Sequence, residues 1–195
     1  MKKYQVLALI GKAGAGKDTI QNVTCEAYPG IFHKIISHTT RPPRDNEVDG
    51  RDYHFTDIPD FTRRVLSCDM LEATEFRGWF YGTSLESLDA NKVNIGVFNP
   101  AGVRAILESP DVDVKVIYVD TNDKTRLLRY LNRSENPDCA EMCRRYYADE
   151  KDFADLDFEY VKFYNHDGAK CDLTAYRYTA MIIDEMMRNI EALNR

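Results

Sequence analysis

The chain has 195 residues, 44% hydrophobic and 30% charged, with a formal net charge of -6 at pH 7. That length buries one sizeable core with room for inserted lobes but not two independent domains, and the composition excludes a disordered chain. The acidic balance argues against a broad nucleic-acid or membrane surface, so no nucleic-acid or membrane partner is expected and any phosphate ligand must be held by locally concentrated Lys and Arg.

Lys2-Lys3 precede the apolar run Val6-Leu7-Ala8-Leu9-Ile10, which stops at Gly11 with no cleavage-type segment after it. It reads as the first buried strand of the fold rather than as a signal peptide. No stretch approaches the roughly eighteen apolar residues of a membrane span. The five cysteines (Cys25, Cys68, Cys139, Cys143, Cys171) lie at no metal-ligand spacing, so the expectation is a soluble, cytoplasmic protein with free thiols. Gly11-Lys12-Ala13-Gly14-Ala15-Gly16-Lys17-Asp18-Thr19 comes next, ahead of the helix-compatible stretch Ile20 to Tyr28. Strand, glycine-rich turn and helix start are the parts of a phosphate cradle, in which backbone amides curl onto an anion and Lys17 reaches its outer phosphates. The spacing is that of G-x-x-x-x-G-K-[ST], with Asp18 where a magnesium-binding hydroxyl is usual and Thr19 one place later.

Phe32 to Thr40 reads as one β-branched and aromatic strand that runs into the breaker Arg41-Pro42-Pro43-Arg44. A polar turn region, 45–52, leads to a short Tyr53-His54-Phe55 strand, and Asp57-Ile58-Pro59-Asp60 opens a helix through Leu66. Met70 to Phe76 and Trp79 to Tyr81 are strand candidates around Gly78, which makes 37–83 a small mixed lobe. The parallel pattern resumes at Val93 to Phe98, and Asn99-Pro100 caps a helix through Leu107. A strand over Asp113 to Asp120, a helix from Asn122 to about Leu131 and a polar segment to Pro137 follow. A charged helix then carries Arg144-Arg145, Phe158 to Tyr164 is the last strand, and Tyr176, Ala180, Ile183, Met187 and Ile190 form the core stripe of a closing helix. Strands alternating with helices predict a parallel sheet covered on both faces, with the ligand at the carboxyl ends of its strands.

A phosphate loop alone says only that a nucleoside triphosphate is bound. Arg41 and Arg44, three residues apart on a proline-stiffened turn, suit a second phosphate held by charge-assisted hydrogen bonds, and Tyr53 and Tyr81 can donate to the same anion. Glu72, in an apolar strand, can accept from the ring N–H and exocyclic amine of a guanine.

Together, Ser37-His38-Thr39-Thr40-Arg41-Pro42-Pro43-Arg44, Glu47-Val48-Asp49-Gly50-Arg51-Asp52-Tyr53-His54-Phe55, Leu71-Glu72 and Phe80-Tyr81-Gly82-Thr83-Ser84 closely resemble the guanylate kinase signature, in order and spacing. The resemblance implies a P-loop NTPase fold of three layers around a parallel sheet, with core 1–36, 84–128 and 156–195, an inserted lobe for the nucleoside monophosphate over 37–83, and a helical lid over 129–155. It implies that Arg41, Arg44, Tyr53 and Tyr81 bind the GMP phosphate and that Ser37, Glu72 and Thr83 read guanine, with Glu47 and Gly82 in the same substrate-binding segments. Arg133 and Arg144 match the lid positions that close on the transferring phosphoryl, Arg145 serves equally if the register differs by one, and Asn165 matches a position near the adenine of ATP. With Lys17 and magnesium these arginines form the expected catalytic apparatus, acting on ATP and on GMP or dGMP.

The sequence departs from the family in two respects. Val97 and Asn99 stand where an acidic D-x-D segment is usual, and Asp18 replaces the Ser or Thr after Lys17. Asp18 is therefore the candidate to hold or orient the hydrated magnesium, and strict guanine preference loses one acid near the base. Two alternatives stay open: a related P-loop kinase acting on another deoxynucleotide or a phosphorylated sugar, and a non-catalytic guanylate-kinase-like protein-binding module.

Overall fold

The computed structural model describes residues 3–44, 47–76, 78–133, 135–165 and 173–193. In chain order the first elements are β1 (Tyr4–Ile10), α1 (Lys17–Ala27), β2 (Phe32–Lys34), β3 (His38–Thr39), β4 (His54–Phe55), α2 (Ile58–Leu66), β5 (Met70–Phe76) and β6 (Trp79–Ser84). The rest are β7 (Val93–Val97), α3 (Pro100–Glu108), β8 (Val112–Asp120), α4 (Asp123–Leu131), α5 (Cys139–Asp152), β9 (Val161–Tyr164) and α6 (Leu173–Leu193).

β1 is the middle strand of a parallel sheet of order β2-β7-β1-β8-β9. It is buried from Gln5 to Ile10, as a strand covered on both faces must be. Its side chains alternate between two cores: Val6, Ala8 and Ile10 pack with Val103 and Ile106 of α3, whereas Leu7 and Leu9 pack with Met186 and Ile190 of α6. Each Val, Leu or Ile side chain among them contributes about 1.5–3 kcal/mol on burial, so the central strand is among the best-anchored parts of the chain. The glycine loop starts at its carboxyl end.

The strands expected to stand apart from the parallel sheet form a second sheet of order β4-β3-β6-β5, with β3 and β4 parallel and the other pairs antiparallel. The expected single strand from Phe32 to Thr40 is two strands, one in each sheet. The break has a local cause. The Ile35 N–H donates to the Ile95 carbonyl at 2.9 Å, and the buried Gln21 amide of α1 donates to the Ile35 and Ile95 carbonyls at 3.2 and 2.8 Å, which ends the ladder there. His38 then pairs with Gly82 and His54 of the second sheet. The last strand is shorter than expected and begins at Val161, because Phe158 packs into the core and the Tyr160 ring lies against Tyr118 instead of continuing the ladder.

The expected Asn99 cap forms, accepting from the Gly102 N–H at 2.7 Å, and at the expected helix entry Asp57 accepts from the Asp60 N–H at 2.8 Å. In α6, Met186 and Ile190 are buried and Ile183 and Met187 partly so; Tyr176, Ala180 and Cys171 lie outside the residues whose side chains are described. No helix among the described residues is long and apolar enough to cross a membrane.

Candidate functional site

The loop after β1 needs its glycines for two reasons. Gly14 and Gly16 have φ of +79° and +94°, and a Cβ on Gly14 would stand 2.8 Å from the Arg126 carbonyl oxygen. Ala15 is fully buried, so its methyl anchors the loop in the core next to α6. Lys17 opens α1 and folds back, donating to the Gly11 and Lys12 carbonyls at 2.7 and 3.3 Å. Burial pushes the Lys17 ammonium below its ordinary value, against the pull of Asp18 and Asp149. A desolvated cation beside a helix N-terminus is an anion site.

The loop is held from beneath. The Asn165 amide and the Thr121 hydroxyl donate to the Ala15 carbonyl at 2.8 and 3.1 Å, and Arg129 donates to the Gly14, Ala15 and Asn165 carbonyls. Asn165 thus supports the underside of the loop, close enough that a Cβ on Gly16 would meet its Nδ2 at 2.6 Å. Lys12 pairs with Glu150 of α5, and the Ala13 N–H donates to Asp149 of the same helix. Thr19 is exposed on α1.

Across the cleft, Arg41 is only 8% exposed. Its Nη2 donates to Glu47 at 3.0 Å and its Nη1 to the Pro42 carbonyl, while Nε is buried with no hydrogen-bond partner among the described residues. The guanidinium lies 5.4 Å from the centre of the Tyr53 ring. Glu47 also accepts from the Arg44 N–H at 2.8 Å and pairs with the Arg44 guanidinium, so one carboxylate assembles both arginines. Arg44 is held below its ordinary value by burial at the cleft wall, although its outer side stays open to solvent, and by the charges of Arg41 and Arg145. Burial raises the Tyr53 hydroxyl, and the Asp18 carboxylate and Tyr81 add to the effect.

Glu72 is buried in β5, and burial pushes its carboxyl up to about 7 although the hydroxyl and N–H of Thr83 donate to it. The Thr83 and Ser37 hydroxyls are 3.2 Å apart. Gly82 lets β5 and β6 approach, since a Cβ there would stand 2.9 Å from the Glu72 carbonyl oxygen. Val97 and Asn99 line the same cleft, and the Asn99 amide also donates to Thr74 Oγ1 at 3.1 Å.

One cleft joins these parts. It is lined by the loop residues Gly11, Ala13, Gly14, Lys17 and Asp18, by Ser37, Arg41, Arg44, Tyr53, Glu72 and Tyr81, and by Arg133, Arg144 and Arg145. Glu47 lines an adjoining cleft that shares Asp18, Arg44, Tyr53, Arg133 and Arg145. Sequence reasoning missed Glu141 and Asp149, which line the cleft from α5, and Arg126, which is buried behind the loop. A signal existed: Glu141, Arg145 and Asp149 recur every four residues and so share one helix face.

Magnesium requires oxygen ligands, and among the described residues no group of three or more His, Cys, Asp or Glu gathers to hold a metal. Asp18 alone offers an exposed carboxylate at the head of α1, facing the cleft beside Lys17. Magnesium is commonly held by one or two carboxylates plus substrate phosphates, so this donor set fits an ion carried by a nucleotide.

A glycine-rich anion loop at the end of the central parallel strand, lining one cleft with the buried Arg41 and its neighbour Arg44, defines an α/β phosphotransferase of the P-loop class. Within that class the chain belongs to the guanylate kinase family: the family model described as Guanylate kinase matches residues 3–167. The chain is 32% identical over 162 residues to a guanylate kinase of Chlamydia felis (strain Fe/C-56), which covers 80% of this chain and 78% of that one. It is 29% identical over 161 residues to MAGUK p55 subfamily member 4 of Mus musculus, covering 80% of this chain and 24% of that one. Among solved structures, guanylate kinase from Anaplasma phagocytophilum shares the fold with a TM-score of 0.63 at 19% identity, over 97% of this chain and 90% of that one.

Proposed function

We propose that the protein transfers the γ-phosphoryl group of ATP, bound with magnesium, to GMP or dGMP, giving ADP and GDP or dGDP. The observation that carries this reading is Arg41, a buried guanidinium with an unpartnered Nε, opening onto the same cleft as the Lys17 loop. A buried cation left short of a partner is costly, and a phosphate supplies the missing acceptor.

In this reading the loop amides and Lys17 hold the donor phosphates, while Arg41, Arg44, Tyr53 and Tyr81 hold the acceptor phosphate. Glu72, Ser37 and Thr83 meet the edge of the base. Residues 37–83 and 129–155 act as acceptor lobe and lid over the rest of the chain. In-line transfer asks little covalent chemistry of a protein beyond positive charge around the moving phosphoryl, which Lys17 and the arginines supply. When bound, magnesium neutralises phosphate charge, and Asp18 is the residue to hold or orient its water shell. The described cysteines are free thiols, in keeping with a cytoplasmic setting.

The intact loop, with the Lys17 ammonium folded back onto it at 2.7 Å from the Gly11 carbonyl, favours catalysis over a purely protein-binding role. A coupled ADP-release assay over ribo- and deoxynucleoside monophosphates tests the proposal. The expected result is turnover with GMP or dGMP, and an Arg41→Ala variant whose KM for the acceptor rises by about 10²-fold. A preferred acceptor without guanine points to the related P-loop kinases, and no acceptor-dependent ADP release points to the binding module.

A further inference from the structure

One carboxylate holds both arginines of α5. Glu141 accepts from Arg144 through Nε at 2.6 Å and Nη2 at 2.8 Å, and from Arg145 through Nε at 2.6 Å. Its own position is set by the helix start, because the Glu141 N–H donates to the N-cap Asp138 at 3.0 Å.

The two arginines face different surroundings. The Arg144 side chain is 52% exposed and that of Arg145 only 19%. Arg145 lies over the Tyr130 ring, 5.9 Å from its centre, and stands in the wall shared by the two adjoining clefts, together with Arg44 and Tyr53. Arg144 lines the first cleft but not the second. Several guanidinium groups around one anion pocket repel one another, and each long side chain loses rotamer freedom when it is fixed. A counter-charge built into the wall offsets both effects before any anion arrives. Glu47 has the same relation to the guanidinium groups of Arg41 and Arg44.

We propose that Glu141 is a positioning residue for phosphoryl transfer that acts through Arg145, keeping that guanidinium turned to the Arg44 side of the cleft. The inference rests on the kinase reading, in which the acceptor phosphate lies on that side. Arg145 is then the arginine of α5 that bears on the transfer, and Arg144 shares its carboxylate while facing solvent.

The test compares wild type, Glu141→Gln, Arg144→Ala, Arg145→Ala and the two double variants by steady-state ADP release. Gln keeps a capping-box residue at the third position of α5, so the helix start survives. Glu141→Gln is expected to lower kcat about 10-fold or more while the KM for ATP stays within about 2-fold. In the Arg145→Ala background the same change should alter kcat by less than about 2-fold, whereas in the Arg144→Ala background it should keep its full effect. A merely structural role would instead lower the unfolding midpoint, raise both KM values together and multiply with the loss from Arg145→Ala; that pattern overturns the proposal. An inactive wild type overturns the kinase reading and this inference with it, and an active wild type matched by Glu141→Gln overturns this inference alone.

Discussion

The Asp149 carboxylate accepts the Ala13 N–H at 2.7 Å, so a helix late in the chain reaches into the loop that follows the first strand. Arg126 takes the other side of the same residue: its Nε donates to the Ala13 carbonyl at 2.9 Å and its Nη2 to Asp149 at 2.8 Å. Both side chains are 3% exposed. The peptides flanking Ala13 are therefore held by α4 and α5, and α5 also carries Arg144 and Arg145 of the cleft lining.

Breaking a buried pair from one side strands a charge, whereas replacing both partners with apolar groups is often neutral. Arg126 keeps a second carboxylate, donating through Nη1 to Asp123 at 2.7 Å, so Asp149→Ala should lower stability by about 1–3 kcal/mol in urea unfolding, the cost of the hydrogen-bond donors it leaves unpaired. Asp149→Leu combined with Arg126→Met should recover most of that loss, yet bind ATP more weakly than wild type, because nothing then fixes the Ala13 peptide. Wild-type ATP affinity in a stable double variant would mean that the grip serves folding and not the loop.

Asp18 gives a second prediction. It is the one acidic residue in the loop segment 11–19, and it faces Tyr53 closely enough to help raise that hydroxyl. If it holds or orients hydrated magnesium, Asp18→Ser should cut turnover sharply and raise the magnesium concentration for half-maximal rate by about 10-fold. Titrating magnesium at fixed ATP measures this, and superimposable curves for variant and wild type would discard the assignment.

Much of this arrangement is legible in the residue types. Gly14 and Gly16 sit at positive φ, Asp57 and Asn99 cap the helices that their positions suggest, and Lys17, Arg41, Arg44, Tyr53, Glu72 and Tyr81 all line one cleft. The break between β2 and β3 was not legible, because β-branched and aromatic residues favour a strand without saying which sheet it joins. The deciding group there is the Gln21 amide, which is distant in sequence from Ile95. Asp149 and Arg126 were hidden for a related reason. A charged residue in a charged helix normally faces water, and only the packing of the loop against α4 and α5 makes these two buried partners.

Asn99 yields a third prediction. Its oxygen caps the Gly102 N–H and its amide donates to Thr74, so the side chain is engaged at the base of the cleft. Asn99→Ala should cost about 1 kcal/mol through the lost cap. Asn99→Asp should keep the cap but set a second carboxylate beside Glu72, since a Cβ on Gly102 would lie 3.3 Å from Glu72 Oε2 and 3.4 Å from Asn99 Oδ1. Like charges disfavour each other's ionisation, so the titration of Glu72 should move to higher pH in that variant. Following the Glu72 carboxyl carbon by NMR reads the shift directly, and no change would show that the two groups do not interact.

The titration of Glu72 itself gives the last prediction, and its sign is opposite to that of an ion-paired carboxylate. Burial raises this group from its ordinary 4.5 to about 7. Between those values the native protein keeps a proton that the unfolded chain has released. The contribution of Glu72 to stability is therefore greatest below the lower value and falls as pH rises, levelling off at a loss of about 3 kcal/mol above the upper one. Acceptor binding should run the other way. A base that donates a ring N–H and an amine needs the ionised carboxylate, so the acceptor KM should rise about tenfold for each pH unit below about 7. Glu72→Gln should flatten both profiles, raise stability at alkaline pH and weaken the acceptor at every pH. Unfolding and kinetic measurements across the same pH series decide this, and a wild-type acceptor KM that stays constant on acidification would mean that Glu72 does not meet the base as an anion.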